Sequence, residues 1–140
     1  MLKRAVISGV CAILTATVAE ASITTDVLGR DSRECVAYAR SRVPLPSNKN
    51  LTWWDDKKSL KNNSNCKKGS VAIIDSGARY QGRLVGHLAV VEDCDSSGSS
   101  QSITITETNW KTGYKTKRTS KTSKISKSES ELKIYGYFRP

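Results

Sequence analysis

Three short apolar runs follow one another with only Gly- and Ser-rich loops between them: SVAIID (70–75), HLAVVEDC (87–94) and SITITETNW (102–110). This succession limits the fold more than any other feature of the chain, because it reads as an antiparallel meander. The first loop carries Gly77, Gly82 and Gly86, and the second is DSSGSSQ. A last alternating run, LKIYGYFRP (132–140), is expected to be a further strand with Gly136 at a bulge. Ahead of the strands, residues 31–42 (DSRECVAYARSR) read as a helix. Asp31 is expected to cap it, Glu34 to complete a capping box, and Val36, Ala39 and Val43 to form its apolar stripe. Pro44 and Pro46 end it, and residues 47–69 read as a loop with at most a short helical turn. A helix followed by a meander implies an α+β domain, with an N-terminal helix packed on one face of a small antiparallel sheet.

The first 21 residues have the layout of a secretory signal peptide. Lys3 and Arg4 form a basic start, Ala5 to Val18 an apolar run, and Ala19-Glu20-Ala21 a cleavage site before Ser22. The apolar run is shorter than the ~20 residues that cross a bilayer, so cleavage is expected rather than stable membrane insertion. The domain would then occupy residues 22–140 and be secreted, to the periplasm or the extracellular space. Removing Lys3, Arg4 and Glu20 leaves 21 basic and 12 acidic residues, a net charge of +9 against +10 for the whole chain. Such a charge favours anionic partners, and export turns that preference from intracellular nucleic acid towards envelope polymers. Between 111 and 127 lie seven Lys or Arg and no acid. That segment reads either as a solvated strand pair or basic loop, or as a surface that holds anionic substrate or wall polymer.

Export also governs the cysteines. Loss of Cys11 with the signal leaves Cys35, Cys66 and Cys94, which is one bridge and one spare in an oxidising compartment. Placing Ile73 opposite His87 in a hairpin of runs 70–75 and 87–94 sets Cys66 opposite Cys94, at a separation a disulfide accepts. Cys35 is then the free thiol. Near a helix start its pKa would fall below the usual ~8.5, because unsatisfied N–H groups stabilise a thiolate there. On that ground alone it is equally a nucleophile or a buried filler.

The chain has one histidine, His87, at the head of the second run. In the third, Ile103, Ile105, Glu107 and Asn109 share a face, so a carboxylate and an amide sit on an otherwise apolar surface and need partners. Pairing the second and third runs about Gly98 puts His87 opposite Asn109 and diagonal to Glu107. A carboxylate beside an imidazole orients it and favours its protonated form, the arrangement of a nucleophile, a base and an orienting group.

With these pieces in order, the chain resembles the CHAP domain, the cysteine- and histidine-dependent amidohydrolase/peptidase family with a papain-like core. The matching segments are ECVAYAR, KKGSVAII, GHLAVVE and ITITETNW, together with LTWW and the closing YGYFRP. The resemblance implies Cys35 as nucleophile, His87 as base, Glu107 as orienting acid and Asn109 as a fourth polar group. It implies hydrolysis of an amide bond in bacterial peptidoglycan, by an N-acetylmuramoyl-L-alanine amidase or a peptide endopeptidase. Trp53 and Trp54 are either core residues or a wall of the cleft. A single histidine with few clustered acids argues against a metal, and no cofactor is expected. The expected partners are peptidoglycan and anionic wall polymers, with no nucleic acid, and the protein is expected to be a monomer. Two other readings stay open: a catalytically inactive basic wall-binding module of the same fold, and an exported antibacterial amidase toxin with an immunity partner.

Overall fold

The computed structural model describes residues 22–140, so the signal-peptide reading of residues 1–21 lies outside the described residues. The chain is an α+β domain built on one antiparallel sheet. Its elements are β1 (Ile23–Arg30), α1 (Cys35–Arg42), α2 (Trp54–Lys58), β2 (Val71–Ile74), β3 (Arg79–Tyr80) and β4 (Arg83–Leu84). There follow β5 (His87–Asp95), β6 (Gln101–Thr108), β7 (Tyr114–Thr122), α3 (Ile125–Leu132) and β8 (Ile134–Phe138). Six strands form the main sheet in the order β1-β7-β6-β5-β2-β8, and β3 and β4 pair as a small hairpin beside it. No described helix is long and apolar enough to cross a membrane.

Alternation along the strands divides the core in two. On one face Val71, Ile73, Leu88 and Val90 pack with Cys35, Tyr38, Ala39 and Val43 from α1 and its end. On the other, Ala72, Ile74, Ala89, Val91, Ile103 and Ile105 pack with Leu132 of α3 and Tyr137 of β8. Both faces of the central strands are therefore covered, which is why VAII and LAVV are apolar without interruption.

Several sequence expectations need correction. Helix α1 begins at Cys35, not Asp31, because Asp31 instead accepts hydrogen bonds from the Arg33 main chain and guanidinium. Glu34 is the N-cap, with no side-chain capping bond. Val36 is only half-buried, and Tyr38 is the large core residue of the helix. Strand β1 was not expected; its polar ITTDVLGR sequence forms a strand by pairing with β7 at the sheet edge. The basic segment 111–127 is neither a strand pair nor a loop. It supplies β7, paired on both sides, and the start of α3.

The hairpin register also differs. Ile74, not Ile73, pairs with His87, and β2 starts only at Val71, so Cys66 and Cys94 do not face each other in a ladder. They are nonetheless bonded, with Cα atoms 6.0 Å apart, because the chain before β2 runs back along β5 through Gly69 N–H to Val91 O. Cys35 lies at the His87 end of β5, and Cys94 is seven residues along that strand, roughly 20 Å or more away at ~3.3 Å per residue. That distance keeps Cys35 out of the bridge.

The bridge closes a loop with a sequence separation of 28 residues. In the chain-entropy account this stabilises the fold by about 3–4 kcal/mol. A Cys66→Ser, Cys94→Ser double variant should therefore unfold at a clearly lower urea concentration, and peptide mapping of the native protein should recover residues 66 and 94 as one linked fragment.

Candidate active site

The site forms where two strands part. The β5–β6 ladder ends at Val90–Thr106. Beyond that point His87 to Ala89 remain paired with β2, and Glu107 and Thr108 with β7. Side chains can meet in the wedge between β5 and β6. His87 enters it directly after Gly86, whose φ of +64° suits glycine and whose absent Cβ would lie 2.3 Å from Trp54 Cε3. No other residue fits both constraints, so Trp54 and Gly86 together fix where β5 begins. Cys35 is delivered by the first residue of α1, with its thiol against the Leu88 backbone N–H and the His87 ring.

Four groups of alternating charge then run inward from the thiol. The Cys35 thiol and the imidazole of His87 interact at the groove floor, each favouring the other's charged form. His87 Nε2 lies 3.0 Å from Glu107 Oε1, which leaves Nδ1 as the nitrogen facing the thiol. Arg118 donates to Glu107 twice, from Nε at 2.7 Å and Nη2 at 3.1 Å. Glu107 is 0% exposed, and His87 and Arg118 are both buried. Trp110 closes the row from outside: Arg118 Cζ is 3.6 Å from its ring centroid, and the His87 ring is 5.3 Å away. A cation over an indole face, shielded from water, adds to the pairing.

The titration of each group follows from these neighbours. Burial pushes the Cys35 thiol up, but the hydrogen bond and charge of His87, the charge of Lys57 and the Leu88 N–H together bring it below its ordinary value. Burial disfavours the imidazolium, yet hydrogen bonds to Cys35 and Glu107 outweigh it and raise His87 to about 9. Glu107 is likewise pushed up by burial and pulled down further by His87 and Arg118, so it stays a carboxylate. Both shifts act in the direction of a thiolate–imidazolium pair.

A groove of about 770 Å³ opens over the thiol, lined by Cys35, His87, Leu51, Lys57, Tyr80 and Trp110 among others. Of the residues singled out in the sequence, Cys35, His87 and Glu107 meet. Asn109 does not face His87 in a ladder, because β6 ends at Thr108 and Asn109 turns out with φ of +63°. It lines the groove, exposed, and its Nδ2 donates to Glu34 Oε1 at 3.1 Å. Trp53 and Trp54 line a separate cavity of about 270 Å³ beside the β3–β4 hairpin. Trp54 is core, and Trp53 lies under Arg83 at 4.2 Å. Among the described residues no three His, Cys, Asp or Glu side chains gather as a metal would need.

Three residues of the site were missed: Arg118, Trp110 and Lys57. Arg118 had a signal. In YKTKRTSKT, Thr116, Arg118 and Ser120 alternate with Lys115, Lys117 and Thr119, and a buried cation is what an inward-facing Glu107 requires. Lys57 had none, since Lys58 beside it is an ordinary surface lysine in sequence.

The model of one protein family, described as the CHAP domain, matches residues 26–109, more than half of the chain. No curated protein and no solved structure matches.

Removing one partner of a buried pair leaves the other charge uncompensated, at a cost of about 3–5 kcal/mol. Arg118→Met should accordingly lower the urea midpoint strongly, whereas Lys117→Met, one residue away on the outer face, should leave it within the error of the measurement.

Proposed function

We propose that this chain, which belongs to the CHAP domain family, is an exported cysteine amidase or endopeptidase that cuts an amide bond of bacterial peptidoglycan. The observation that carries the reading is the buried sequence Cys35–His87–Glu107–Arg118, in which each charge is held by its neighbour. A basic wall-binding module without catalysis would have no use for a pre-formed thiolate at the floor of a groove. The papain-like core of the family, with a helix start presenting a thiol to an imidazole on the adjoining strand, agrees with this geometry. The charge of +9 that remains after signal removal suits an anionic wall, and a disulfide suits export to the periplasm or beyond.

In the reaction the Cys35 thiolate attacks the amide carbonyl carbon, and the carbonyl electrons move to oxygen. Main-chain N–H groups of the first turn of α1, Cys35's own included, are unsatisfied within the helix and positioned to stabilise that oxyanion. Imidazolium His87 passes its proton to the departing nitrogen as the C–N bond breaks, leaving a thioester and a free amine. Neutral His87 then takes a proton from water. The hydroxide attacks the thioester, and the thiolate leaves as the carboxylate product forms. Glu107 keeps the ring oriented and stabilises its cation throughout. The products are one new carboxylate and one new amine, so mass analysis of digested walls identifies the bond.

Two measurements test the proposal. Cys35→Ala and His87→Ala proteins should fold as the parent does, yet lose clearing of purified cell walls by a factor of at least about 10³. Undiminished clearing by a folded Cys35→Ala protein would sink the enzyme. In the parent, kcat/KM should fall on the acid side as Cys35 takes up a proton, at a pH below the ordinary thiol value. It should fall again on the alkaline side near 9, where His87 loses its proton.

A further inference from the structure

Lys57 is 3% exposed and lies in the groove wall beside Cys35, yet no step above uses it. Its Nζ donates to Thr52 O at 2.9 Å and to Val85 O at 2.7 Å. Those carbonyls come from two segments that line the groove, one at the entry to α2 and the other immediately before Gly86 and His87. An ammonium has three donors, so one remains beyond the two spent on the walls. Among the described residues no carboxylate is in ion-pair contact with it. Asp56 accepts from the Trp53 N–H of its own helix, and Glu34 is held by Asn109. The neighbouring Lys58, by contrast, pairs with Asp55 on the surface in the ordinary i, i+3 manner. A buried ammonium without a carboxylate partner is costly to keep charged.

We propose that Lys57 is a positioning residue for the nucleophile: it ties the segment before α2 to the segment before His87 and presents a positive charge to Cys35 in the groove. The inference rests on the reading of Cys35 as nucleophile. The charges that bear on Lys57 are those of Cys35 from α1, Asp56 from α2 and Glu34 ahead of α1; His87 and Arg79 line the same groove. Burial holds the ammonium's pKa below its ordinary value, and the three negative groups, Cys35 foremost, offset this only in part. Cys35 thus interacts with two cationic groups, His87 from β5 and Lys57 from α2. The clamp ties α2 to the turn that carries His87, so the same side chain sets both distance and charge.

The test is alkylation of Cys35 by iodoacetamide across pH, with the label located by mass spectrometry, since this readout needs no wall substrate. Lys57→Gln keeps a hydrogen-bonding head and loses the charge; Lys57→Arg keeps both. The glutamine variant should titrate Cys35 about one pH unit higher, and so alkylate about tenfold more slowly at pH values below both midpoints. The arginine variant should follow the parent. Superimposed profiles for a folded Lys57→Gln protein and the parent would overturn the inference. Lys57→Met, whose stem fills the same space, gives the same comparison if the glutamine variant does not fold. A parent whose Cys35 titrates like an ordinary thiol would instead overturn the nucleophile reading itself, so the two failures are separable.

Discussion

The burial of Glu107 constrains everything else in this molecule. A carboxylate with no solvent exposure is tolerable only if cations and hydrogen bonds replace its water, and here both of its oxygens are occupied. Arg118 supplies a permanent charge from β7. His87 supplies a conditional one from β5, present only while the imidazole carries its second proton. Because Arg118 already holds Glu107 ionised, the carboxylate does not compete for that proton. The cost of burying these charges is met by their alternation, and its consequence is an imidazole that stays protonated to about pH 9.

That alternation depends on a defect in the sheet. Had β5 and β6 stayed paired to their ends, His87 and Glu107 would be held at ladder spacing with no room for a third element. The ladder instead stops at Val90–Thr106, and the space beyond it admits the thiol from α1. The helix is held to the sheet by its own core contacts and by Tyr38, whose hydroxyl donates to Thr106 at 2.8 Å, at the last pair of the ladder. The wedge and the helix that fills it are therefore registered by one buried hydrogen bond. Arg42, one turn on, bonds both the Tyr38 hydroxyl and Glu92, extending the same registration to the exposed side of β5.

What the sequence disclosed follows from how local each signal is. Apolar runs placed β2, β5 and β6, and alternation β8, within a residue or two, and the shared face of Ile103, Ile105 and Glu107 marked a carboxylate on the core face. The disulfide partners emerged from a register one residue out, because a bridge tolerates a slip that a ladder does not. Capping at Asp31 failed for a reason composition hides: Asp31 had a nearer cation in Arg33. Strand β1 was invisible because its polarity belongs to an edge, and its partner β7 was itself read as solvent-facing. Asn109 was placed by extending a ladder past its end. Lys57 could not have been found, since its burial depends on the remote segment at Val85 meeting the loop just before its own helix.

The matched family segment ends at residue 109, and Arg118 lies outside it. Cys35, His87 and Glu107 are all inside the segment, while the cation that holds Glu107 comes from the strand that follows. A sheet ending at β6 would leave Glu107 at an edge, open to water and paired with His87 alone. It could then share the imidazole's proton when the pair is stressed. Strand β7 removes that option by covering the carboxylate and fixing its charge, and β1 in turn covers β7 along nearly all its length. The run of lysines and arginine that first reads as a solvated surface thus has two faces with different work. Lys115, Lys117 and Lys121 carry the charge the surface shows, and Arg118 carries the one the site depends on. Positive charge on this strand is a requirement of the interior as well as a property of the exterior, and only the alternation of the strand separates the two.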